Sequence, residues 1–169
     1  VNVAVIAKTL AGVSISGVRV LVLVSTSGIG LMPYNVGVAI TGSGSIAIVT
    51  HSGHGMATND KVQIKGAEQQ EYNNVHAITV TSTGIYTYTI NSTPETVVTG
   101  TILATYVALS GLTDQSGYIT MSRVFSVDQP ILGRVRKGTG SPIYKTTDFI
   151  GTIDSDTGFA TTIQMIPDE

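Results

Sequence analysis

Lys61-Val62-Gln63-Ile64-Lys65 alternates polar and apolar residues, and that period of two recurs along most of the chain. It is the pattern of a strand with one wet face and one dry face. Ser45–Thr50 (SIAIVT), His76–Thr83 (HAITVTST) and Ile85–Asn91 (IYTYTIN) repeat it. Between these runs lie residues that bend a chain. Gly53 and Gly55 tolerate positive φ, and Thr58, Asn59 and Asp60 carry side chains that bond nearby backbone. No segment sustains a 3.6-residue period with helix caps, so almost no helix is expected. Many short strands spaced about 8–12 residues apart point to an all-β sandwich or barrel.

Outside this stretch, Val18–Val24 (VRVLVLV) is β-branched, continuous and bounded by Gly17 and Ser25-Thr26-Ser27-Gly28. Val1–Leu10 is apolar at both odd and even positions, so it is expected to be buried on both faces or to lie at an interface. Thr105–Leu109 returns to the outer segment. Asp114–Gly117 reads as a tight turn, followed by a strand from Tyr118. Pro130 is expected to end the next loop. Strands are then expected at Ile131–Lys137, Ile143–Lys145, Phe149–Ile153 and Phe159–Ile166. Glycine-flanked junctions near Gly37 and Gly100 suit an insertion whose ends lie close together. The expected organisation is one immunoglobulin-like β-sandwich from 1–37 and 103–169, interrupted by a small β-barrel over 38–102.

Composition limits the function classes. Only 12% of the 169 residues are charged and the net charge is −2, about half the usual charged share. Bulk electrostatics therefore recruits neither nucleic acid nor an anionic membrane. A surface this poor in charge is expected to be covered by small polar residues or by other protein. There is no cysteine, which excludes disulfides, thiolate catalysis and cysteine-based zinc sites. The first ten residues lack signal-peptide anatomy, and the longest apolar run, Val20–Val24, is too short to span a bilayer. Synthesis in the cytoplasm without a cleaved leader is expected.

Two stretches carry a resemblance. Gly17–Val24 (GVRVLVLV) and Gly111–Phe125 (GLTDQSGYITMSRVF) resemble the carboxypeptidase-regulatory or transthyretin-like family of immunoglobulin-type sandwiches. His54–Ala67 (HGMATNDKVQIKGA), Glu71–Val80 (EYNNVHAITV) and Ile85–Ile90 (IYTYTI) resemble the first catalytic cysteine half-domain of ubiquitin-activating enzymes. That pattern is also found in bacteriophage structural proteins. Without cysteine or a nucleotide motif, activation chemistry does not carry over. The combination resembles a structural protein of a tailed-phage virion. It implies a non-enzymatic part, capsid-associated decoration or fibre-like, that contacts other virion proteins and copies of itself. The alternative is an adhesion module for host-surface carbohydrate.

Candidate chemistry is sparse. His51 and His54, with Asp60, Glu71 or His76, would make a metal site only if the fold gathered them. Packing of His54 within its turn is the competing reading. Asp154 and Asp156 look like a fragment of a calcium loop without the remaining ligands, so a turn closed by Gly158 is expected. Asp114 is expected to form an Asx turn. No nucleophile elbow is present, and there is neither tryptophan nor a paired-carboxylate cleft for a glycosidase. No catalytic residue, cofactor, metal, nucleic acid, membrane or small-molecule ligand is expected. The candidate interaction surface is Val1, Val3 and Val5 on the first strand, with Arg134, Arg136 and Lys137 on a later one.

Overall fold

A computed structural model describes residues 1–93 and 97–168. The fold is all-β. Its fourteen strands are β1 (Asn2–Thr9), β2 (Arg19–Val24), β3 (Val36–Gly37), β4 (Ala39–Ser43), β5 (Ile46–Thr50), β6 (Lys61–Ala67), β7 (Asn74–Ala77), β8 (Thr79–Ser82), β9 (Ile85–Thr89), β10 (Gly100–Leu112), β11 (Tyr118–Ser122), β12 (Gln129–Lys137), β13 (Tyr144–Ile153) and β14 (Phe159–Met165). A single 3-10 turn, Gln70–Tyr72, is the sole helical element among the described residues.

The chain divides into two compact units: Val1–Leu31 with Ala108–Glu169, and Met32–Val107. These junctions lie outside the glycine-flanked positions at 37/38 and 102/103. β10 begins at Gly100 and runs through the Val107/Ala108 junction without a turn.

The first unit is a sandwich of two sheets. In one, β1 lies between β11, antiparallel, and β14, parallel. In the other, β12 lies between β13 and β2, with the C-terminal part of β10 beyond β2. Alternation decides what each strand buries. Val20, Val22 and Val24 of β2 and Ile131 and Val135 of β12 point inward, while Arg19, Leu132, Arg134 and Arg136 point out. Gly133 and Gly151 sit on the inward side, where a Cβ would collide with the rings of Phe149 and Phe159. The two rings stack with centroids 6.2 Å apart and planes within 5°.

Three expectations for this unit are corrected. β1 is the central strand of its sheet, not an edge open to another chain, because both of its backbone edges are already paired. Pro130 does not end a loop but lies within β12, opposite Thr152. Proline is tolerated there because its carbonyl still accepts, from the Ser25 N–H, and no N–H is required of it. The two strands expected at Ile143–Lys145 and Phe149–Ile153 fall, apart from Ile143, within one strand, β13, and Thr146 and Asp148 between them lie on its wet face.

The second unit holds a four-stranded sheet of two hairpins joined side by side, β4-β5-β9-β8, and a set in which β6 lies between β7 and the N-terminal part of β10, with β3 also on β10. The chain passes from one sheet to the other at Ile78. This buried residue gives its N–H to Asp60 O and accepts the Asn59 N–H. The four-stranded sheet keeps two ends, so the expected barrel is not formed as a closed cylinder. At the register shift between β6 and β10, Gly66 (φ +87°) and Gly100 (φ +113°) approach each other's strands. A Cβ on Gly66 would strike Thr101 O, and one on Gly100 would strike Gly66 O.

Candidate functional site

The expected site residues fall into separate places. Val3 and Val5 are fully buried in the sandwich core. Val1 is half-buried, and its nitrogen donates to Arg123 O at 2.8 Å. A contact surface on β1 is therefore withdrawn for Val3 and Val5, whose side chains are already covered from within the chain.

His51 and His54 meet around Tyr86. Positive φ at Gly53 and Gly55 folds the turn back on itself, which brings the two imidazoles edge to face at 5.8 Å. His51 Nδ1 lies 3.2 Å from the Tyr86 hydroxyl. His54 Nδ1 accepts the Met56 N–H at 3.0 Å, so its Nε2 carries the proton and donates to Ser82 O at 3.1 Å. Asp60 accepts the Ala57 N–H at 2.7 Å. His76 stands elsewhere in the unit. It is stacked on Tyr88 at 4.0 Å, and its Nε2 donates to Asn73 O and Tyr72 O. Among the described residues no three histidine or carboxylate side chains converge as metal ligands. Burial, reinforced by the charge His54 can carry, holds His51 down to about 4. Burial also raises the Tyr86 phenol. These are structural histidines, each spent on a local bond.

Asp154 Oδ1 accepts the N–H groups of Asp156 (2.8 Å) and Thr157 (2.9 Å), and those bonds hold its carboxyl below the usual range. Gly158 closes the turn with paired backbone bonds to Asp154. Asp114 does the same work before β11, accepting from Ser116 and Tyr118.

The outward face of β2, β12 and β13 is the most distinctive surface. Its rows follow from the strand register. Leu23, Leu132 and Ile150 lie side by side, an apolar row in which Ile150 is 83% exposed and Leu132 45%. In the next row Arg134 grips Asp148 through two bonds of 2.6 and 2.9 Å. The Arg134 hydrogen bond holds Asp148 below the ordinary carboxylate range. One row further, Arg136 stands directly opposite Arg19. Like charges opposed across a ladder repel, and among the described residues neither has an acidic partner. Lys137 Nζ donates to Ser16 O at 2.7 Å. These three cations line an open groove of about 490 Å³ with Gly17, Leu112, Gly138 and Thr139.

Arg136 and Lys137 were legible as a basic cluster in the sequence. Arg19 was missed, although its odd position in the alternating run Val18–Val24 places it outward. Its meeting with Arg136 depends on register. No family model matches the chain, and no curated protein is similar to it.

Proposed function

We propose that this chain is a non-enzymatic structural component of a bacteriophage virion, a capsid-associated decoration or fibre-like protein that works through protein–protein contacts. The observation that carries the reading is the β2–β12–β13 face. It is a wet sheet surface with an apolar row at its centre and charges at its margins, which is the anatomy of a contact surface. The histidines and aspartates that chemistry would recruit are instead engaged in turns and in the core, which supports a passive role. The resemblance of His54–Ala67 to a pattern found in bacteriophage structural proteins, combined in one chain with the transthyretin-like resemblance of Gly17–Val24 and Gly111–Phe125, supports the setting. No helix among the described residues is long and apolar enough to cross a membrane.

The test is labelling of virions whose genome encodes the chain, with antibody raised against the purified protein, followed by low-resolution imaging. Many ordered copies on each particle are expected. Particles that carry none overturn the reading. A second reading, a carbohydrate-binding adhesion module, draws on the shallow groove where Tyr118 lies beside Asn2, Thr157 and Phe159. It requires measurable glycan affinity that Tyr118→Ala removes.

A further inference from the structure

We infer that the β2–β12–β13 face is a self-complementary surface that binds a second copy of this chain, with the acidic turn of each copy set in the basic groove of the other. The inference rests on the multi-copy reading above and names its contact.

The two ends of this face carry opposite charge. At the end where β12 finishes stand Arg19, Arg136 and Lys137, lining the groove. At the end where β12 begins, Gln129 pairs with Ile153. There Asp128 accepts the Ser155 N–H at 2.8 Å, which ties it to the Asp154–Gly158 turn. Asp128 and Asp156 are exposed, and Asp154 is half-buried. Three cations thus face one way and three carboxylates the other, with Leu23, Leu132 and Ile150 between them.

The spacing is symmetric. Asp128 lies four residues before Leu132 and Arg136 four after it, about 13 Å each way at the rise of a strand. A two-fold axis running across the strands, through the apolar row, turns one copy's face onto the other's with the strands antiparallel. Leu132 then meets its own counterpart, and each Arg136 comes over the partner's Asp128. Such a contact is isologous and closes at two copies. Sheets packing in this way keep their strands within about 30°, which leaves the charged ends in register. The same arrangement relieves the repulsion between Arg19 and Arg136, for which the described residues supply no acidic partner. An axis along the strands would set cations on cations, so the charges select one orientation. The face is three strands wide and its ends are charged, so the association is expected to be reversible and salt-sensitive.

Sedimentation of the full chain over a concentration series is the test. A monomer–dimer equilibrium is expected, weakened at least tenfold by Arg136→Glu, by Asp128→Lys or by Ile150→Asp. Because Asp128 also supports its turn, Asp156→Lys provides a second acidic variant with no such bond to lose. The deciding measurement is the mixture. The Arg136→Glu and Asp128→Lys proteins, each monomeric alone, are expected to associate with each other, since reversed charges then face each other correctly at both ends. A wild-type dimer that none of these substitutions weakens places self-association on another surface and overturns this inference, while the multi-copy reading stands. A chain that stays monomeric at all concentrations also overturns it, and virion labelling then decides the broader reading separately.

Discussion

Acid is expected to unfold this protein partly through one imidazole, His51. The ring is 4% exposed, and burial holds its pKa at about 4 against an ordinary 6.5. The folded chain therefore resists a proton that the unfolded chain accepts. Stability is at its full value above pH 6.5, falls as the pH drops through the window from about 6.5 to about 4, and levels off below it. The whole gap corresponds to about 3 kcal/mol. At pH 5 the unfolded imidazole is almost entirely charged and the folded one almost entirely neutral, which gives a loss of about 2 kcal/mol; partial water access to the ring reduces this to about 1–2 kcal/mol. His51→Gln supplies the reference, because an amide fills similar space, can bond the Tyr86 hydroxyl and does not titrate. Urea unfolding of both proteins, followed by far-UV circular dichroism between pH 7.5 and 4.5, gives the comparison. The wild-type curve is expected to fall more steeply by that amount, while the carboxylates contribute equally to both. His76, also held low by burial, acts with the same sign in both. Parallel curves, or an NMR titration that places the His51 midpoint near 6.5, would refute the reasoning.

Other expected outcomes follow from single atoms. Thr113 Oγ1 donates to Ile15 O at 2.8 Å and accepts the Val18 N–H at 3.0 Å, both buried; Thr113→Val keeps the shape but strands two backbone groups, and a loss of about 2–3 kcal/mol in chemical denaturation is expected. Gly66→Ala, with φ at +87° and Thr101 O in the way, should cost about 3 kcal/mol or more. Gly53→Ala, at φ +63° with open space around it, should cost only about 1 kcal/mol; equal losses would show that steric approach is not what Gly66 answers to. Arg134→Ala should leave the melting temperature nearly unchanged because the pair lies exposed on the surface, yet raise the Asp148 carboxyl toward its ordinary range, as read by NMR titration.

Much of the fold was written in local pattern. Alternation in Arg19–Val24, Tyr118–Ser122 and Phe159–Met165, with glycine and Asx turns between runs, specifies strands and which face of each is dry, because those properties depend only on neighbouring residues. Asp114 and Asp154 closed their turns for the same reason. What alternation cannot carry is the identity of a strand's neighbours. Val1–Leu10 looked like an open seam because both faces are apolar; pairing with β11 and β14, more than a hundred residues away, made it a centre. Ile143–Lys145 and Phe149–Ile153 read as two strands because the polar Thr146–Asp148 interrupts the apolar pattern, and polar residues on a wet face interrupt it just as a bend does. The two histidines were expected to bind no metal, and only the positions of Tyr86 and Ser82 settled where their nitrogens point. The candidate contact face shows the division most plainly. Each strand, taken alone, presents a leucine or an isoleucine beside charged residues, Arg19 on β2, Arg134 and Arg136 on β12 and Asp148 on β13. Register alone sets Leu23, Leu132 and Ile150 side by side and brings Arg19 against Arg136, because side chains distant in sequence become neighbours only when hydrogen-bonded ladders align them.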